Sequence, residues 1–246
     1  KSRLYEVAMN NVGNPRKASS YRGNTHVFEN EVVDFFASAF GFDPKNSWGI
    51  VTFSGTDGNQ QGMYFGAKYL QGKTKKLPVV YVSEEAHYSI KKIADVQNLE
   101  LKLIKADTMG QMLPEEFEKA LDVNRPALVV IAVGTTFKGA IDNQEAIDEI
   151  LNRKKPLAVF RHVDAALFGG FLPFTERRDI LNRNNMHFDS IAVSGHKFFG
   201  FDEPMGVLVT TKEIIDNINP FHVPYLSDAV PTCLLYTSPS PRDATL

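Results

Sequence analysis

Leu128-Val-Val-Ile-Ala-Val133-Gly134-Thr135-Thr136 is the stretch whose reading decides the fold. Six apolar residues in a row, most of them β-branched, suit a strand buried on both faces, and the run stops at a glycine and two threonines. The same phrase, an apolar run followed by small polar residues, recurs along the chain. Further runs are Ile50–Phe53, Val79–Val82, Leu101–Ile104, Leu157–Phe160, Ser190–Val193 and Val207–Thr210. Helical patterns separate most of them, at Gln61–Leu70, Pro114–Leu121 and Asn143–Leu151. Pro114 suits a first helical turn, and Glu115 and Glu116 behind it complement the helix dipole. Upstream, Phe28, Val32, Phe35, Phe36, Ala39 and Phe40 fall at helical spacing, predicting an amphipathic helix packed on a core. Strands alternating with helices imply an α/β fold whose mostly parallel, seven-stranded sheet lies between helices.

Composition narrows the function classes. The chain has 246 residues, enough for one large domain, with 43% hydrophobic and 23% charged residues. A net charge of -2 gives no reason to expect a nucleic-acid partner or an acidic membrane surface. No apolar run approaches the length that spans a bilayer. A single cysteine, Cys233, excludes an internal disulfide framework and fits the reducing cytoplasm. The last residues, Cys233-Leu-Leu-Tyr-Thr-Ser-Pro-Ser-Pro-Arg-Asp243, read as a translated sequencing adapter, with a natural Ser/Pro-rich tail as the alternative. The expected organisation is therefore an N-terminal helical segment over 1–46, a large domain over 47–232 and a non-native tail over 233–246.

In parallel sheets, ligands bind beyond the carboxyl ends of the strands, so the residues after each run matter most. They are Ser54-Gly-Thr-Asp-Gly-Asn59, Ser83-Glu-Glu-Ala-His87, Gly134-Thr-Thr136, His162-Val-Asp-Ala-Ala166 and Ser194-Gly-His-Lys197. Five clusters at five strand ends would converge on one rim. Ser54–Asn59 leads from a strand into a helix, where free backbone N–H groups form an anion cradle, although an ordinary tight turn reads the same way. It matches neither dinucleotide-binding nor P-loop patterns. Lys197 is an amine among phosphate-binding groups, and Schiff-base chemistry would ask burial and a nearby cation to lower its pKa. Asp164 is a carboxylate entering from an apolar run, costly unless paired. Alone, each residue also reads as a surface charge, a cap or a structural hydrogen bond.

Together, Trp48-Gly-Ile-Val-Thr52, Gly55-Thr-Asp-Gly-Asn59, His87-Tyr-Ser89, Gly134-Thr-Thr136, His162-Val-Asp-Ala-Ala166 and Ser194-Gly-His-Lys197 resemble the group II pyridoxal-phosphate (PLP) dependent decarboxylases. The similarity runs from about Asn10 to Ser227 and is greatest to PLP-type histidine decarboxylases and plant serine decarboxylases. The resemblance implies a type I PLP-enzyme fold, a homodimer, and decarboxylation of an L-amino acid, with histidine or serine the leading substrates. It implies that Lys197 binds the cofactor through its amine. Asp164 would face the pyridine nitrogen and His87 would stack on the ring and touch the substrate carboxylate. Gly55, Thr56, Ser194 and His196 would hold the phosphate, with Thr135 on the ring's hydroxyl side; no metal is implied.

Departures accompany the resemblance. Asp57 stands where the family has glutamate, and Glu203-Pro-Met205 replaces a different tripeptide close after Lys197, a place that bears on substrate selectivity. A Gly-Ser-Arg stretch and a small C-terminal domain, which the family carries further on, are absent from this sequence. Other type I PLP chemistry, a C–C lyase or an aminotransferase, stands as one alternative, and an inactive truncated fold as another.

Overall fold

The computed structural model describes residues 11, 13–19, 21 and 23–218; the adapter-like stretch from Cys233 lies outside them. In chain order the elements are α1 His26–Ala39, β1 Ser47–Thr52, α2 Gly55–Thr74, β2 Val79–Ser83, α3 Ser89–Val96, β3 Glu100–Ile104 and α4 Pro114–Ala120. There follow β4 Ala127–Ala132, α5 Gln144–Lys154, β5 Val159–Asp164, β6 Ser190–Ser194, α6 Gly195–Phe198, β7 Gly206–Thr211 and α7 Lys212–Asn217. Two short 3-10 turns, Leu172–Phe174 and Arg178–Leu181, lie between β5 and β6.

The seven strands form one sheet in the order β1-β7-β6-β5-β4-β2-β3. Neighbours from β3 to β6 pair in parallel, while β7 runs antiparallel to both β6 and β1. The period-2 alternation of the strands divides their apolar residues between two cores. Val79, Tyr81, Val129 and Ile131 face one core with Phe36, Phe117 and Ile147, whereas Val80, Val82, Leu128 and Val130 face the other with Met63, Phe65 and Ile90. Helices therefore cover both faces, as continuous apolar strands require.

Two expectations change. Phe28 and Phe35 are exposed, because the buried stripe of α1 runs through Val33, Phe36 and Ala37 instead. Leu157 is also exposed, and β5 begins later than the apolar run and continues through His162 to Asp164. Polar residues can sit in this central strand because they find partners there. Arg161 Nε donates to Asp148 Oδ1 at 2.5 Å, and both ring nitrogens of His162 are hydrogen-bonded.

α2 lies unusually close to the sheet. A Cβ on Gly58 would stand 3.0 Å from Ala192 Cβ, one on Gly66 would stand 2.6 Å from the Phe160 ring, and one on Gly62 would collide with the His162 ring. These glycines recur every four residues and so form one face of the helix. Their lack of side chains lets the helix axis settle onto β5 and β6, which brings its N-terminus to the strand ends.

Candidate active site

A cavity of about 380 Å³ opens at the carboxyl ends of the strands. All eight residues assigned from sequence line it: Gly55, Thr56, His87, Thr135, Asp164, Ser194, His196 and Lys197. They come from five separate loops and strand ends, so only the sheet brings them together.

The phosphate side is built by α2. Ser54 is extended (φ -170, ψ 171) and its Oγ accepts from Asp57 N at 3.2 Å, capping the helix. Asp57 Oδ2 accepts from Phe53 N at 3.1 Å, and burial pushes this carboxyl above its usual range. The shortened carboxylate therefore belongs to the helix cap. Above the first turn, a Cβ on Gly55 would collide with Ser194 Oγ and lie 3.0 Å from Ala166 Cβ. Glycine here leaves open a cradle that a side chain would fill, beside the Ser194 hydroxyl and the helix's unpaired N–H groups. His196 Nδ1 lies 3.1 Å from Met205 O, and Gly195 N donates to the same carbonyl at 2.8 Å. Met205 thus supports the Lys197 turn from behind, and none of Glu203-Pro-Met205 is among the residues lining the cavity.

The other walls carry the titrating groups. His87 follows β2; its Nδ1 accepts from Ser89 N at 3.3 Å and lies 2.7 Å from Ser89 Oγ. With Nδ1 accepting, the neutral ring carries its proton on Nε2. Burial pushes the imidazole below its ordinary range, opposed by the Asp164 carboxylate and reinforced by the Lys197 ammonium, so all three groups share one electrostatic environment. Asp164 ends β5, with Oδ1 accepting from Ala166 N at 3.1 Å. Lys197 is exposed at the cavity rim, contrary to the burial that the sequence reading asked for. Thr135 is buried after Gly134, whose φ of +98 suits glycine, and its Oγ1 accepts from Ala140 N at 2.9 Å, leaving its O–H free to donate. A buried clip steadies this loop: Asp142 accepts from Ala132 N at 2.8 Å and Met112 N at 2.9 Å, and burial raises its carboxyl to about 6.

Sequence reasoning gave no site role to Asn59, Tyr88, Thr136 or Leu167, which also line the cavity. Asn59 was legible in principle, lying four residues after Gly55 and hence on the same face of α2. The others lie in loops, where no periodicity points a side chain inward. Among the described residues no group of three or more potential metal ligands gathers, and no helix is long and apolar enough to cross a membrane.

The donor set fits a flat, phosphate-bearing aldehyde cofactor: an open anion cradle, a carboxylate, an imidazole and a primary amine around one space. Comparison with known proteins agrees. Residues 63–236 match the pyridoxal-dependent decarboxylase conserved domain. The chain is 34% identical to a histidine decarboxylase of Mesorhizobium japonicum, over 85% of this chain and 56% of that protein. It is 33% identical to serine decarboxylase 1 of Oryza sativa subsp. japonica, over 91% of this chain and 46% of that protein. Among solved structures, the L-methionine decarboxylase from Streptomyces sp. 590 superposes with a TM-score of 0.77 at 22% identity, covering 95% of this chain and 65% of that one. The sphingosine-1-phosphate lyase of Burkholderia pseudomallei shares the fold at a TM-score of 0.68 and 19% identity, covering 78% of this chain and 46% of that one. The chain thus spans less than two thirds of the length of each of these relatives, and it belongs to the pyridoxal-dependent decarboxylase family.

Proposed function

We propose that this chain forms the cofactor-binding part of a carboxy-lyase that converts an L-amino acid to its amine and CO2, with histidine or serine the leading substrates. One observation carries the reading: Lys197, Asp164 and His87 line a single cavity together with a glycine cradle at a helix N-terminus. When bound, pyridoxal phosphate supplies an electron-withdrawing ring that accepts the negative charge left when CO2 departs. Backbone N–H groups at Gly55 and Thr56 would hold the phosphate with the Ser194 hydroxyl and His196. Asp164 would accept from the ring nitrogen, Thr135 would serve the ring's hydroxyl side, and Lys197 would bind the cofactor through its amine. His87, its imidazole pushed toward the neutral form by burial, would present Nε2–H to the substrate carboxylate beside the bound ring. Its part would be orientation, holding the substrate carboxylate in the position that favours loss of CO2.

The complete protein is a cytoplasmic homodimer in this reading, with residues 1–46 as an N-terminal helical segment, 47–232 as the cofactor-binding large domain and 233–246 as a non-native tail. Support for a second copy is exposed aromatic surface: Phe137 is 92% exposed, and Phe174, Phe198 and Phe201 are each more than half exposed, side chains that a partner could cover. The test supplies pyridoxal phosphate to the purified protein and looks for a yellow, borohydride-reducible adduct, expected in the wild type and lost in Lys197→Ala. Amino acids are then supplied and CO2 is measured against keto-acid formation. CO2 from histidine or serine is expected; keto acid without CO2 would establish an aminotransferase, and no adduct at all would establish an inactive fold.

A further inference from the structure

A buried polar chain runs behind the cavity wall. His162 lies on β5, fully enclosed and two residues before Asp164, so the two side chains emerge on the same face of the strand. Its Nδ1 is 2.7 Å from Ser190 Oγ on β6, and its Nε2 is 2.9 Å from Asn59 Oδ1 on α2. Asn59 Oδ1 can only accept, so Nε2 carries the ring proton and Nδ1 accepts from the Ser190 hydroxyl. Three elements are tied in one direction: Ser190 donates to His162, and His162 donates to Asn59.

The consequence lies at the cavity end. With Oδ1 committed to His162, Asn59 Nδ2 turns away from the ring and has no hydrogen-bond partner among the described residues. It is not a sealed-off atom either, because Asn59 lines the cavity and Nδ2 is absent from the buried unpartnered side-chain atoms. Asp164 lines the same space; its Oδ1 is taken by Ala166 N, and its Oδ2 has no hydrogen-bond partner among the described residues. A donor and an acceptor with no hydrogen-bond partner among the described residues thus belong to two side chains that line one cavity. A chain of three polar side chains costs more to bury than apolar ones of the same size, so its product is this aimed amide.

We propose that Ser190, His162 and Asn59 form a positioning relay that directs Asn59 Nδ2 onto Asp164 Oδ2 when the site is filled, fixing the carboxylate toward the ligand's ring N–H. The second lone pair of Oδ2 accepts that ring proton. The inference rests on the pyridoxal-phosphate reading, and its test separates the two. The purified full chain, as wild type, Asn59→Ala and Ser190→Ala, is titrated with pyridoxal phosphate and with an analogue whose ring nitrogen is replaced by carbon. Asn59→Ala is expected to weaken pyridoxal phosphate about tenfold and Ser190→Ala about threefold, the size of one directed hydrogen bond lost wholly or in part. Affinity for the carbon analogue moves less than about twofold in both, because that ligand gives Asp164 nothing to meet. Equal weakening of both ligands, or no change in either, overturns the relay and leaves the cofactor reading standing. A wild type that binds neither ligand overturns the cofactor reading itself and the relay with it. Should Asn59→Ala fail to fold, Asn59→Ser and Ser190→Ala decide by the same ratio.

Discussion

His162 is enclosed completely, and burial lowers its imidazole to about 3. In the unfolded chain the same ring protonates near its ordinary value of about 6.5. The folded pKa is depressed, so stability from this residue is fully present above about pH 6.5 and is lost as pH falls toward 3, by about 1.4 kcal/mol per pH unit. Asp142 acts in the opposite sense, since its carboxyl is raised to about 6 and the folded state holds that proton more tightly as pH rises from the usual carboxylate range. Comparing wild type with His162→Gln isolates the histidine. Urea midpoints measured from pH 7 to 4 should fall less steeply in the variant, while its stability at pH 7 drops by about 1–2 kcal/mol from the disturbed hydrogen bonds. The motif containing His162 was plain in the sequence. That the histidine serves the wall behind the site, and not the site itself, depends on α2 lying against β5.

At the scale of elements, α2 does two jobs with different residues. Its glycine face sets the distance to the sheet, and its first turn forms the cradle. Gly62→Ala would force a methyl group into the His162 ring, so α2 must rise or the ring must move. The expected cost is about 1–3 kcal/mol in unfolding free energy, read by urea titration, with weaker pyridoxal-phosphate binding because the cradle moves with the helix. Ser54→Ala removes the oxygen that accepts from Asp57 N and should cost about 1 kcal/mol. A thermal shift of a few degrees in the ligand-free protein checks it. The helix itself was read from Gln61–Leu70, but it begins at Gly55 and ends at Thr74, with Lys75 beyond it in the left-handed conformation at φ 61. Glycines hid its first half, because the periodicity that marks a helix is carried by apolar side chains.

At the scale of the molecule, the two cores share one sheet, so neither can melt alone without exposing the other face of the same strands. Trp48, the one tryptophan in the chain, is only 2% exposed, and its fluorescence reports on β1 at the sheet edge. Unfolding followed by that fluorescence and by far-ultraviolet circular dichroism should give coincident transitions. Saturating pyridoxal phosphate at about a hundred times its dissociation constant should raise stability by about 2.7 kcal/mol. A ligand-dependent midpoint in wild type, absent in a variant that cannot bind, would check this.

Sequence by itself determined the α/β class and six of the seven strand positions to within a few residues, because apolar runs are local patterns; the eight lining residues it named came from strand-end clusters read together with the family resemblance. It erred on Leu157–Phe160, where partners elsewhere in the fold let the polar residues Arg161, His162 and Asp164 extend a central strand. Only tertiary structure decided the strand order, the reversed direction of β7, the turning outward of Phe28 and Phe35, and the meeting of Asn59, His162 and Ser190. Those outcomes join residues up to 164 positions apart, from Ser47 to Thr211, and no local pattern of side chains encodes a distance across the chain.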